Sequence, residues 1–254
     1  MNTTMDDALK APGCDAGATG APSVAQGRTE STRLFTHKVA DDDGSAPNPY
    51  CGVCTLALSV PRIRQEAEPG DLVAGFGCRS SADRDEEFRV VYVMQVDEVL
   101  TWPHYIARCR RDLPGKIPAT SSPERRAGDC IYPLDGGRVG RIPLASGSGH
   151  DAASYPKDVE AGVNVLMARC YWYFGAGDQH RLVVPAALRD LSPSGQGHQS
   201  RKNTFLIPAF IGWFNAAVAL LALAPGVHGT PKVARPLPGA TSPIPAHGGA
   251  RGSS

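Results

Sequence analysis

The sharpest hydrophobic periodicity in the chain is the two-residue alternation over Phe88–Val96, where Phe88, Val90, Tyr92, Met94 and Val96 share one face. Val91 and Val93 occupy the other face. Apolar residues on both faces predict a strand covered on both sides. Strands also read at Arg33–Ala40, Val53–Val60 and Leu72–Phe76. The last of these is launched by Glu68-Pro69-Gly70-Asp71, a turn in which Pro presets φ and Gly accepts a positive value. A longer alternating run, Val163–Phe174, divides into Leu166, Ala168, Cys170, Trp172 and Phe174 on one side and Val165, Met167, Arg169, Tyr171 and Tyr173 on the other. Helical spacing takes over in Thr101–Arg111. There Trp102, Tyr105, Ile106 and Cys109 form a stripe opposite a set of arginines, so this helix should lie against the sheet. Arg181–Leu191 reads as a short helix.

Phe205–Val227 carries no charge and approaches membrane-spanning length, but Pro208, Gly212, Asn215 and Pro225 interrupt it. What remains is a helix of roughly four to five turns, read as the buried helix of a core with no membrane partner. Asp112–Pro156 is rich in Pro, Gly, Ser and Arg and has little regular pattern; loops of that length in a compact domain tend to be functional, and the active face is expected there. Residues 1–31 and 230–254 consist mainly of Gly, Ala, Ser, Thr and Pro and cannot offset their ordering entropy by burial. They predict disordered tails around one domain, residues 32–229. Several strands without regular strand-helix-strand alternation predict an α+β fold. The expected form is a mixed, mostly antiparallel sheet, or a small closed barrel, with peripheral helices.

Composition changes this picture little. The 254 residues are 42% hydrophobic with a formal net charge of +1, enough for a real core. Such a balance argues against a surface that coats nucleic acid through charge alone, although a local basic groove can hide within it. No basic segment followed by an apolar one opens the chain, so the expected address is cytoplasmic. Seven cysteines, an odd number at irregular gaps, predict mostly reduced and buried thiols. Cys51-Gly52-Val53-Cys54 has the spacing of half a zinc site or of a thiol-disulfide motif, but no second pair completes it, and it runs into a strand. No metal site and no identifiable cofactor follow. Gly75-Phe76-Gly77 and Gly175-Ala176-Gly177 do not extend into phosphate-binding loops and read as bends or turns. Asp41, Asp42 and Asp43 read as a solvated loop.

The polar residues that could carry chemistry are Thr36-His37-Lys38, Asn48, Gly128-Asp129 and the run His198–Asn203. His37 and Lys38 are adjacent on a strand and point to opposite faces, so one pocket should use at most one of them. Tyr171, Trp172, Tyr173 and Phe174 offer flat rings on which a base could stack, while alternation must bury one face of that strand.

In order and spacing, RLFTHKVADDDGSAPNPY, EPGDLVAGFG, FRVVYVMQVDEVLTWPHY, AGDCIY, YWYFG and GQGHQSRKN resemble the nucleotide modification associated domain 2 family over roughly residues 33–230. That family is linked, chiefly by association with phage and bacterial DNA base-hypermodification systems, to nucleotide or nucleic-acid chemistry. The Gly70-Asp71-Leu72-Val73 segment and the strand ending Gln95-Val96-Asp97-Glu98-Val99 are also similar to PUA-like, EVE and ASCH barrels, which bind RNA or modified bases. The family positions matched here are His37, Lys38, Asn48, Asp129, Tyr132, Tyr173, Phe174, Gly175, His198 and Arg201. Cys130 stands where the family pattern favours Asn, and Pro133 where His is expected.

The resemblance implies a base-binding module for a nucleotide, or for DNA or RNA carrying a modified or flipped base. In it, Tyr173 and Phe174 would stack on the base, Lys38, Arg201 and Lys202 would meet phosphate, and Asn48, Tyr132 and Gly175 would complete the ligand contacts. Stacking contributes about 1–3 kcal/mol per base, enough without a large basic surface. The alternative is a base-modifying enzyme in which His37 or His198 is general acid/base and Asp129 orients it. A third reading is an interaction domain of a phage-related operon, with modification-system proteins as partners.

Overall fold

A computed structural model describes residues 32–79, 83–175, 180–195, 198–199 and 202–231. Both expected tails therefore lie outside the described residues, apart from Thr230 and Pro231. Along the chain run β1 (Leu34–Lys38), β2 (Cys54–Leu56), α1 (Pro61–Glu66), β3 (Leu72–Phe76), β4 (Val90–Gln95), β5 (Glu98–Thr101) and α2 (Trp102–Arg111). There follow α3 (Pro123–Arg126), β6 (Leu134–Asp135), β7 (Arg138–Val139), β8 (Asn164–Ala168), β9 (Cys170–Tyr173), β10 (His198–Gln199), α4 (Ile207–Leu220) and β11 (Gly226–Val227).

The strands form a six-stranded sheet in the order β10-β1-β3-β4-β9-β11 and a three-stranded sheet in the order β2-β8-β5. In the larger sheet β1 pairs parallel to β3 and β11 parallel to β9, and the remaining pairs are antiparallel. The fold is thus α+β with mixed, mostly antiparallel sheets, and among the described residues neither sheet closes into a barrel. A small hairpin, β6-β7, turns through Gly136 and Gly137, both at positive φ, the requirement of a two-residue turn that matches strand twist.

Three apolar layers follow from the pleat. Leu34, Leu72, Phe76, Trp172 and Phe174 face α4, which contributes Phe210, Phe214 and Val218. Phe35, Val73, Met94, Leu56 and Leu166 fill the space between the two sheets. Outside the smaller sheet, Val165 and Met167 meet Trp102, Tyr105, Ile106 and Cys109 of α2, the stripe predicted from helical spacing. The apolar segment near the C-terminus becomes a fourteen-residue helix, α4. No helix among the described residues is long and apolar enough to cross a membrane.

The predicted strand Val163–Phe174 is instead two strands in different sheets. The break falls at Arg169, whose N–H donates to Asp97 Oδ2 at 2.5 Å, while the Asp97 N–H donates to the Met167 carbonyl at 2.8 Å. Asp97 itself lies between β4 and β5, so the β4-β5 and β8-β9 segments cross from one sheet to the other at the same corner. One residue outside either strand reverses the parity, and Leu166 and Ala168 come to share a layer with Tyr171 and Tyr173. Similarly, Gly75 pairs with Tyr92 but Phe76 with Val90, leaving Val91 as a bulge, so Val90 and Tyr92 fall in different layers.

Candidate functional site

The C-terminal end of β1 places His37 in the layer between the sheets. Its Nε2 shares a hydrogen bond with the Tyr92 hydroxyl at 2.6 Å, and its Nδ1 lies 3.2 Å from the Lys38 carbonyl. Gly75 is required for this arrangement, because the Tyr92 ring lies where a Cβ would stand. Lys38 points across the sheet, as adjacent strand positions demand. Its ammonium donates to Ser192 Oγ at 2.7 Å and to the Glu87 carbonyl, and burial lowers its pKa.

Beside His37 opens a cavity of about 540 Å³. Its wall takes Asp41, Asp43, Ser45 and Ala46 from the β1-β2 connection, Ser59 to Arg62 from the approach to α1, and Ser148, Gly149, His150, Ser154 and Lys157 from the long loop before β8. Tyr171 and Tyr173 hold the first of these segments by donating hydroxyl hydrogen bonds to the Pro49 carbonyl (2.7 Å) and Asp42 Oδ1 (2.8 Å). Two of the aspartates read as a solvated loop thus border a concave site, and the third, Asp42, is buried, with its pKa pushed up to about 6 by desolvation.

His150 is presented by a Ser-rich turn: the Ser146 and Ser148 hydroxyls are 2.7 Å apart, Gly149 has positive φ, and the His150 N–H donates to Ser148 Oγ at 3.2 Å. Immediately afterwards Asp151 and Ser154 form a capping box. The His150 ring donates from Nδ1 to Asp158 Oδ2 at 2.5 Å. Asp158 is fully buried and also accepts from the Tyr132 hydroxyl (3.0 Å) and from the Ser59 N–H (2.9 Å). Its own carbonyl receives Trp102 Nε1 and Arg64 Nη2. Burial acts to raise the pKa of Asp158, but the His150 bond and charge, the Ser59 N–H and the Arg64 charge together outweigh it and hold the carboxyl below its usual range. Arg64, itself buried and lowered to about 10 by desolvation, also donates to the carbonyls of Ser59 and Asn164. Ser59 (φ 58°) and Val60 (φ 33°) are consecutive non-glycine residues in the left-handed region. Each such residue costs of order 1–3 kcal/mol, and here both backbone groups of Ser59 are fixed by the Asp158–Arg64 cluster.

In the neutral ring the bond to Asp158 keeps the proton on His150 Nδ1 and leaves Nε2 as the accepting nitrogen. No described residue hydrogen-bonds Nε2. A histidine oriented by a buried carboxylate on a cavity wall can take a proton from a bound group and return it.

The remaining sequence candidates divide. Tyr132 joins this cluster behind His150. Asn48 and Asp129 belong to a second, closed network. In it Lys116 Nζ donates to the Asn48 carbonyl, Asn48 Oδ1, the Val53 carbonyl and Thr55 Oγ1, all within 3.0 Å. Thr55 and Tyr105 donate to the two oxygens of Asp129 at 2.6 and 2.5 Å, and Asn48 Nδ2 donates to the Ala127 carbonyl. Lys116, Asn48, Thr55, Tyr105 and Asp129 are all buried. Tyr173 and Phe174 are buried, as are Tyr171 and Trp172, because β9 lies between β4 and β11 in its sheet and is covered on both faces. Phe174 packs on Phe214 and His228 rather than on the cavity. Gly175, at φ 65°, accepts a hydrogen bond from Arg89. His198 pairs with His37 in strand register, and Arg201 lies outside the described residues. His150 and Asp158 were not singled out from the sequence. The signal available was the expectation of function in the long loop, together with its Ser-Gly-Ser-Gly-His-Asp run.

A family model described as nucleotide modification associated domain 2 matches residues 31–232. No curated protein and no solved structure matches the chain.

Proposed function

The chain belongs to the nucleotide modification associated domain 2 family, and from that membership we propose that the cavity beside His37 and His150 takes a nucleotide or a modified base on which His150 transfers a proton. The observation that carries this reading is the His150–Asp158 pair, 2.5 Å apart, on the wall of a cavity of about 540 Å³. Ligand sites for small molecules occupy roughly 300–1,000 Å³. Arg62 and Lys157 supply cations suited to a phosphate, and Asp41 and Asp43 supply acceptors suited to an exocyclic amine. The described residues that line it include no Phe, Tyr or Trp. A base there is held by its edges and by Val39, Ala46, Leu56 and Val60, not by stacking on the Tyr171–Phe174 strand.

The family association with nucleotide modification fits a centre that activates a hydroxyl, an amine or a water by proton removal. The base-binding function and the enzymatic one therefore meet in one site, with His150 in the proton-transfer role and Asp158 orienting it. The test is a panel of unmodified and hypermodified nucleotides and short oligonucleotides, read first by thermal shift and then by product analysis. A selective upward shift that survives His150→Gln, with turnover lost in that variant, supports the reading. A shift retained when Ser59→Tyr fills the cavity would place the ligand elsewhere.

A further inference from the structure

The geometry points to a polynucleotide strand as the form in which the base arrives, laid across the arginine-bearing face that leads into the His150 loop. This inference rests on the nucleotide reading of the cavity. The near-zero net charge of the chain conceals an uneven distribution: residues 102–157 hold nine Lys and Arg against five Asp and Glu, whereas the remainder is net acidic. These basic residues lie on neighbouring segments. Arg110 Nη2 donates to the Leu134 carbonyl (3.2 Å) and joins the end of α2 to the β6-β7 hairpin. Arg125 Nη1 donates to the Pro114 carbonyl (2.8 Å), and the Gly147 N–H donates to the Arg126 carbonyl (2.7 Å), two residues before the cavity-lining Gly149.

Arg110, Arg125, Arg126 and Arg138 form no ion pair with a described residue. Arg125 Nε and Arg126 Nε are buried without an acceptor among the described residues. Arg111 and Arg141 do have carboxylate partners, Asp112 and Glu160, and both arginines stay about 70% exposed, as 70% and 71%. Glu124 and Asp135 are the other exposed acids on α3 and the hairpin. Unpaired guanidinium groups on a surface are suited to phosphate oxygens, which they contact in pairs.

A second, independent feature lies on the same stretch. Ile142 is 77% exposed and Leu144 41%, six and eight residues after the Gly136 turn, in the strap that ends at His150. Exposed aliphatic side chains among arginines are what strand-opening proteins insert beside an unstacked base. The arrangement supplies phosphate contacts, an apolar wedge and a proton-transfer histidine in sequence order.

The experiment measures binding of the full chain to a labelled single-stranded oligonucleotide, its duplex, and the corresponding mononucleotide over a range of salt. Wild-type protein, Arg110→Glu/Arg138→Glu and Ile142→Ser are compared; all three positions are exposed or carry no core contact. The expected result is tighter binding of the oligonucleotide than of the mononucleotide, with affinity falling steeply as salt rises. The arginine variant loses about tenfold or more in oligonucleotide affinity and keeps the mononucleotide thermal shift. Ile142→Ser weakens the oligonucleotide several-fold and also leaves that shift intact. Equal oligonucleotide affinity in wild type and the arginine variant, or no preference over the mononucleotide, overturns the strand inference while leaving the cavity reading standing. Absence of binding by every nucleotide and oligonucleotide overturns both.

Discussion

Two buried aspartates, Asp129 and Asp158, stand in nearly the same chemical company and have different consequences. Each accepts a tyrosine hydroxyl, from Tyr105 and Tyr132 respectively, and each has a buried cation nearby, Lys116 and Arg64. Around Asp129 every partner is buried, and the hydrogen bonds close on themselves through Thr55, Asn48 and Lys116. Around Asp158 one partner, His150, reaches a cavity. Residue type therefore does not distinguish a keystone of the fold from a reactive centre. What distinguishes them is whether one member of the network keeps a polar atom for something outside it.

The largest effect that could break this comparison is in the closed network. Lys116→Met leaves Asp129 buried without its nearby cation, and an uncompensated buried charge costs about 3–5 kcal/mol. Urea unfolding should show that loss, with whatever ligand binding survives scaling only with the folded fraction. A Lys116→Met protein that keeps its stability but loses ligand selectivity would move the site to Asp129. Next, His150→Gln should lower turnover by about 10²–10⁴-fold, the range for loss of a general base, with little change in unfolding midpoint because His150 lies at the cavity wall. If unfolding and turnover fall together, His150 is part of the scaffold and the contrast fails.

A third effect uses pH and brings in Asp42, whose folded pKa is pushed up to about 6 by burial. A carboxyl raised above its unfolded value of 3.8 is neutral in both states below that value, and it destabilises the fold progressively as pH rises from there to about 6. The full penalty above that window is about 3 kcal/mol. Asp158, held below 3.8, has the opposite sign: its contribution is present above the unfolded value and is lost as pH falls through the folded one. Unfolding of wild type and Asp42→Asn at about pH 2, pH 4 and pH 7 separates the two. Asp42→Asn should remove the loss of stability on going to neutral pH and leave the acid limb unchanged.

These assignments also show what the sequence could and could not reveal. The α2 stripe and the strand Leu72–Phe76 were legible because their burial repeats with the local backbone period. That the Phe88–Val96 strand is covered on both sides was legible too, but which residues share a face was not, because the bulge at Val91 puts Phe88 and Val90 in one layer and Tyr92, Met94 and Val96 in the other. The split at Arg169 was not, because an alternating pattern looks the same whether or not the chain passes from one sheet to another in its middle. That His37 and Lys38 point to opposite faces was legible from strand geometry alone, although both residues border the cavity. Asn48 and Asp129 were picked out as polar residues and again by the family resemblance, which added Tyr132; neither signal says which network opens to solvent. Asp158 sits in Pro-Lys-Asp-Val-Glu, indistinguishable locally from a surface turn, and its link to Arg64 and Ser59 spans about a hundred residues. Nothing in the local pattern encodes that distance.

The smallest effect sharpens the comparison most directly, because it makes the same change in both networks. Tyr105→Phe and Tyr132→Phe each remove one hydroxyl from a buried aspartate with almost no change in volume. Each should cost about 0.5–1.5 kcal/mol in unfolding free energy, the net worth of one hydrogen bond, with somewhat more where the acceptor is charged. Turnover should separate them. Tyr105→Phe touches no group within reach of the cavity, so its rate constant is unchanged once folding is corrected for. Tyr132→Phe loosens the carboxylate that fixes the His150 ring, so the rate falls several-fold while ligand affinity holds. Equal rates in the two variants would mean that Asp158 does not orient His150 during the reaction, and that both networks serve only to hold the loops in place.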